Sequence, residues 1–256
     1  MKNQTIKIFV LLFLVFACTN YFEYHHGAII RGDKNRKELA LVFTGDEFAD
    51  GGQHIRSTLS RYNIRAAFFL TGNFYRNPDF KELISALHED GHYLGAHSDK
   101  HLLYCSWDNR DSLLVSKEKF LTDLDSNYSA MRNFGIQKSD ARFFLPPYEW
   151  YNLKISQWCQ ETGITLVNFT PGTKSHTDWT HPEIGKGYVS REYIYRSILD
   201  FEKKETFGLN GFILLLHIGS DPRRPDKFHT KLADLIDDLI IKGYRFKRID
   251  ALLKIE

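Results

Sequence analysis

His97 and His101 stand four residues apart in the run His97-Ser98-Asp99-Lys100-His101. On a helical turn that spacing places both imidazoles on one face, close enough to reach one metal ion. In a chain with eleven histidines the pair alone is weak evidence. Neighbouring carboxylates change its weight. Asp46-Glu47 follows one apolar run, and His217 closes another. Two histidines and a carboxylate, with coordination positions left open, hold a Lewis-acid metal for hydrolysis; the metal polarises a carbonyl and lowers the pKa of bound water. Blander readings stand beside this one: Asp46 and Glu47 as a solvated turn, His217 as a satisfied core histidine.

These residues need elements to position them. Apolar runs and amphipathic stretches alternate from Lys37 onward. The expected strands are Leu39 to Thr44, Ala66 to Thr71, Tyr93 to Ala96, Phe143 to Leu145, Thr165 to Phe169, Gly211 to His217 and Arg245 to Ile249. Helices are expected over Gly52 to Tyr62, Phe80 to Asp90, Ser116 to Phe134, Tyr151 to Thr162, Arg191 to Lys204 and His229 to Lys242. Gly91, Gly163 and Gly243 each fall where a helix must stop and a strand begin. About seven βα units result, which implies a barrel or an open parallel sheet with its chemistry at the carboxyl ends of the strands.

Composition narrows the class. The 256 residues suit one catalytic domain; 43% hydrophobic and 26% charged residues are ordinary for a globular protein with a sizeable core. A formal charge of +2, spread along the chain, supplies no basic stripe for nucleic acid, which is not expected as a partner. Aromatics reach 14%, and Trp107, Trp150, Trp158 and Trp179 suit either a filled core or sugar stacking. Lys2 and Lys7 precede or open the apolar run Ile8 to Ala17, which reads as an export signal too short to span a bilayer as a mature helix. Val15-Phe16-Ala17-Cys18 resembles a lipobox, although Phe16 stands where a small residue is usual. The expectation is a signal over 1–18, a tether over 19–36 and a catalytic domain over 37–256. The protein would be exported, either as a bacterial lipoprotein held to the membrane through Cys18 or free in the periplasm or medium. Cys105 and Cys159 remain, as a pair or as two buried thiols.

From about Leu39 to Leu253 the chain resembles the polysaccharide deacetylases of carbohydrate esterase family 4, the NodB-homology proteins. Thr44-Gly45-Asp46-Glu47 is similar to their first motif, Thr-Phe-Asp-Asp, and His97-Ser98-x-x-His101 matches their second. Leu145-Pro146-Pro147-Tyr148 resembles the third, Arg-Pro-Pro-Tyr; Asp178-Trp179 resembles the fourth, and Leu216-His217 matches the fifth. Tyr62 to Phe69 and Lys242 to Phe246 are similar to two further steps of the family. The resemblance implies an irregular (β/α)7 barrel of α/β class and removal of acetyl groups from an N-acetylated polysaccharide. It implies a divalent metal, commonly zinc, on His97, His101 and a first-motif carboxylate. Direct alignment makes Glu47 that ligand and Asp46 the base. Tyr148 would hold the oxyanion through its backbone N–H, His217 would protonate the leaving amine, and Leu216 would line the acetyl pocket. Pro147, Glu149, Trp150, Asp178 and Trp179 are expected around the substrate.

Two departures qualify this. Leu145 replaces the Arg that orients the family's base, and Arg142 lies three residues upstream. Matching the strand Leu39 to Phe43 without a shift puts Thr44 and Gly45 where the two Asp belong; Asp46 would then rescue the metal, and Glu149 would be a new carboxylate near the same rim. An O-acetyl esterase and a carbohydrate-binding relative with weakened catalysis are the competing functions.

Overall fold

The computed structural model describes residues 22–254. The expected signal and Cys18 lie outside the described residues. The chain enters on a hairpin, β1 (Glu23–His25) and β2 (Ala28–Arg31), joined by His26 and Gly27. Both loop residues have positive φ, 43° and 81°, as a twist-matched two-residue hairpin requires. This corrects the expected tether, at least over its described part. Ala28 and Ile29 are core residues, and the buried Arg31 guanidinium donates to the carbonyls of Asn210 and Gly208 at 2.9 Å each. Three consecutive apolar residues, Ala28 to Ile30, and one satisfied charge are too brief a pattern to read as a strand from sequence.

β3 (Glu38–Gly45) is buried along its whole length because both of its neighbours and both of its faces are covered, the expected environment of a central parallel strand. After it come α1 (Gly52–Arg61), β4 (Ala67–Leu70), α2 (Gly72–Arg76), α3 (Lys81–Glu89), β5 (Tyr93–Ala96), α4 (Lys117–Arg132), β6 (Phe143–Phe144), α5 (Leu153–Glu161) and β7 (Thr165–Leu166). Then follow α6 (Arg191–Lys204), β8 (Phe212–His217), α7 (Leu232–Ile241), β9 (Arg245–Phe246) and α8 (Ile249–Leu253). Gly91, Gly163 and Gly243 take positive φ at the expected stops. α7 shows how the helices pack: Leu232, Leu235, Ile236 and Leu239 recur at helical spacing and are buried, while Ile241 faces solvent.

The strands order as β1-β2-β8-β3-β4-β5-β6-β7, with β9 beside β3. The pairings from β8 through β7 are parallel; β1–β2 and β2–β8 are antiparallel. The sheet curls until its edges meet through a bridge between Ile29 and Val167, where the Asn168 N–H donates to the Ile29 carbonyl at 2.9 Å. This is the irregular (β/α)7 architecture expected. β6 and β7 are shorter than expected, two residues each, so closure rests on few ladder bonds. Cys105 and Cys159 are free and buried.

Candidate active site

The carboxyl ends of β3, β4, β5, β6 and β8 open on one side of the sheet, where a cleft of about 800 Å³ lies. Its wall includes Thr44, Asp46, Glu47, His97, His101, Tyr148, Glu149, His217, Trp107 and Trp179. Pro147, Trp150, Leu216 and Asp178 are not on the wall. Pro147 and Leu216 are buried, and Trp150 turns its indole N–H to the Ser106 carbonyl at 3.1 Å with Arg110 over its ring at 3.5 Å.

His97 and His101 do not share a helical turn. They bound a loop beyond β5 in which Ser98 and His101 take φ of 71° and 53°, yet their ring centroids are 5.2 Å apart. The loop is held from α4. Asp123, buried, accepts from Ser98 Oγ at 2.7 Å and from the N–H groups of Asp99 and Lys100 at 3.0 Å. One turn on, Asn127 accepts from the His97 N–H at 2.8 Å and donates to the Leu70 carbonyl. Nothing in the local sequence signalled Asp123 or Asn127, because these partners lie 23 to 57 residues away along the chain and are reached through tertiary packing alone.

The Leu145 carbonyl lies 2.7 Å from His97 Nδ1. A carbonyl only accepts, so Nδ1 carries the proton and Nε2 keeps its lone pair. Burial pushes the His97 pKa well down, and the nearby His101 adds to this. Burial also lowers His101, against the opposing charge of Asp46. Both imidazoles are thus kept neutral, the form that binds metal. Among the described residues no three His, Cys, Asp or Glu side chains converge as a metal cage. His97 and His101 fit two nitrogen ligands, and the carboxylate of greatest influence on His101 is Asp46, whose Oδ1 accepts from Thr71 Oγ1 at 2.7 Å and Asn73 Nδ2 at 3.2 Å. Glu47 is exposed.

Across the cleft, Asp178 grips His217 twice: Oδ1 lies 2.6 Å from Nδ1, and Oδ2 accepts the His217 N–H at 3.0 Å. Burial alone would lower the His217 pKa; the charge and hydrogen bond of Asp178, with Glu149, outweigh it and raise the pKa above its ordinary value. Asp178 was expected beside the substrate and instead stands behind the histidine. Thr44 pairs in register with His217, and its buried Oγ1 has no partner among the described residues. Gly45 points the other way, where a Cβ would lie 2.6 Å from Ile218 Cγ2. Leu145 is fully buried and Arg142 is exposed, so neither offers a guanidinium to this wall. Exposed Trp107 and Tyr148 meet edge to face at the rim, ring centroids 5.7 Å apart; Trp107 carried no motif to single it out as a site residue.

A family model described as polysaccharide deacetylase matches residues 31–167, more than half of the chain. The chain belongs to the polysaccharide deacetylase family. It is 26% identical over 223 residues to the peptidoglycan-N-acetylmuramic acid deacetylase PdaA of Bacillus subtilis, covering 86% of this chain and 73% of the relative. The solved PdaA structure superposes with a TM-score of 0.69 over 90% of this chain and 86% of that one, at 23% identity. A CE4 family pseudoenzyme from Bacillus anthracis shares the fold at a TM-score of 0.68 and 16% identity, over 90% of this chain and 70% of its own. An acetyl xylan esterase from Clostridium thermocellum, solved with a cobalt ion, does so at 0.64 and 18%, over 85% and 90%.

Proposed function

We propose that this polysaccharide deacetylase-family chain hydrolyses acetyl groups from an N-acetylated glycan outside the cytoplasm. The observation that carries this is the pairing of two neutral imidazoles, His97 and His101, with a charge-stabilised His217 in one cleft. His97, His101 and Asp46 would hold a divalent metal, zinc by family resemblance. This replaces the direct alignment's choice of Glu47, because Asp46 bears on His101 and is itself fixed by Thr71 and Asn73. Bound there, the metal would polarise the acetyl carbonyl and acidify water.

The chain's own residues supply the rest. With Nδ1 bound to Asp178, His217 directs Nε2–H at the cleft and stays protonated to higher pH than a free imidazole, as an acid for the leaving amine must. The Tyr148 N–H serves the oxyanion by resemblance. Trp107, Tyr148 and Trp179 give the rim apolar faces on which sugar rings stack. A peptidoglycan deacetylase among the relatives supports a wall-type glycan and export. Lipid attachment at Cys18 is part of the proposal and is tested by incorporation of labelled palmitate, lost in Cys18→Ala.

One feature favours a second reading. Thr44 and Leu145 stand where the family's base and its orienting Arg belong under the unshifted register, so a binding protein with weakened catalysis is the rival. Acetate release from acetylated chitin oligomers and acetylated xylan, with a divalent ion present, decides between them. Release from chitin oligomers supports the N-deacetylase; release from xylan alone turns the assignment to an O-acetyl esterase; release from neither leaves the binding protein.

A further inference from the structure

The cleft wall carries four carboxylates among the described residues: Asp46, Glu47, Glu149 and Asp221. Three are accounted for. Asp46 is held by Thr71 and Asn73 beside His101, Asp221 is clasped by Arg223 and also accepts its backbone N–H at 2.8 Å, and Glu47 is exposed. Glu149 is different. It follows Tyr148 in a turn where both residues take left-handed φ, 59° and 53°. Neither is glycine, and such conformations cost about 1–3 kcal/mol each unless the surroundings enforce them. Here they are enforced: the Glu149 N–H donates to the Pro146 carbonyl at 3.1 Å, the Trp150 N–H to Pro147 at 3.2 Å, and Asn168 Nδ2 to the Glu149 carbonyl at 3.0 Å. The turn thus spends strain to place one carboxyl on the cleft wall.

We infer that Glu149 is the base that takes the proton of the attacking water, in the place that Thr44 cannot fill. The inference rests on the hydrolase reading above and deepens it. Thr44 Oγ1 is an alcohol without a partner among the described residues and cannot serve as a base at neutral pH. Glu149 is half-buried as a residue, but its carboxyl is enclosed by protein, and this burial, with Asp178, pushes its pKa up to about 7 against the lowering effect of His217. No side-chain hydrogen bond contributes. The groups that act on it are His217 on β8 and Asp178 behind that histidine; the cleft wall it shares also carries Asp46 beyond β3 and the titratable imidazoles of His97 and His101 beyond β5 and of His176 on the 175–177 turn.

In the step, Glu149 carboxylate accepts one water proton while the water oxygen bonds to the acetyl carbonyl carbon. The C–N bond then breaks, its electron pair stays on nitrogen, and His217 Nε2–H gives that nitrogen a proton. Acetic acid, which gives its remaining water-derived proton to solvent to become acetate, and the free amine leave. Glu149 loses its proton to solvent, and His217 regains one.

The experiment compares wild type with Glu149→Gln, both zinc-loaded, on an N-acetylated chitin oligomer from pH 5 to 9. Glu149→Gln keeps its metal and loses about 10²–10⁴ in kcat, the contribution of a general base. Wild-type kcat/KM falls as pH drops through about 7. Its sign follows from the role: the base works only when deprotonated, so its raised pKa sets the acid limb. An active wild type whose Glu149→Gln form is within about twofold of it overturns the assignment of Glu149 and leaves the hydrolase standing. An active wild type with no acid limb near pH 7 does the same without relying on the variant. A wild type inactive on every acetylated substrate fails the hydrolase reading, and the assignment with it.

Discussion

Asp178, buried, and His217, half-buried on the cleft wall, form a carboxylate–imidazole pair, with Oδ1 2.6 Å from Nδ1 and the second carboxylate oxygen on the backbone N–H of the same histidine. The double grip fixes ring orientation and tautomer together. Because Asp178 raises the His217 pKa, Asp178→Asn is expected to lower it. An acid loses function as pH rises through its pKa, so the alkaline limb of kcat/KM should move to lower pH. At pH 8 the variant should be at least about tenfold slower. A pH–rate profile checks both; an unmoved alkaline limb contradicts the role.

Metal binding separates the two neighbouring carboxylates. His97→Ala and His101→Ala should each abolish stoichiometric zinc, since each removes one of few protein donors. Asp46→Asn should lose most of the metal, whereas Glu47→Gln, altering an exposed side chain, should retain it. Metal content after gel filtration reads the result, and the opposite pattern restores Glu47 as the ligand.

Asp123 is expected to matter without touching substrate. Asp123→Ala strips four donors of a buried acceptor: the Ser98 and Tyr104 hydroxyls and two backbone N–H groups. A loss of about 2–4 kcal/mol in denaturant unfolding follows. Zinc affinity should drop roughly 10–100-fold as the His97–His101 loop loosens. A variant as stable and as tight as wild type would show the loop to be held elsewhere.

Restoring the family's Arg should harm this protein. Leu145 is fully buried, its carbonyl already holds His97, and Thr44 offers no carboxylate to receive a guanidinium. Leu145→Arg is therefore expected to destabilise by about 3–5 kcal/mol, as an uncompensated buried charge does. Unfolding curves test this, and a gain in acetate release would reveal a site still built for the Arg.

The parallel strands were legible because β3, β4 and β8 are continuous apolar runs of the right length, and the helices because residues such as Leu232, Leu235 and Ile236 repeat at helical spacing. Site geometry was less so. The His97–His101 spacing suggested a helical turn, but the loop owes its left-handed residues to Asp123 and Asn127, which only the folded chain brings near. Asp178 carried a motif but not its orientation. The hairpin at Ala28–Arg31 escaped notice because its burial depends on partners as distant as Gly208 and Asn210.

That hairpin also bears on the order of folding. Ile29 meets Val167, and Arg31 pairs with Phe212, so the segment that enters the fold first in sequence finds its partners more than a hundred residues later. Contacts of such separation form late, because the intervening chain must lose its freedom before they stabilise anything. In a polypeptide emerging from its amino end, residues 28–31 have only their hairpin partner β1 while the rest of the sheet assembles. The curled sheet is closed last by the earliest of its described residues.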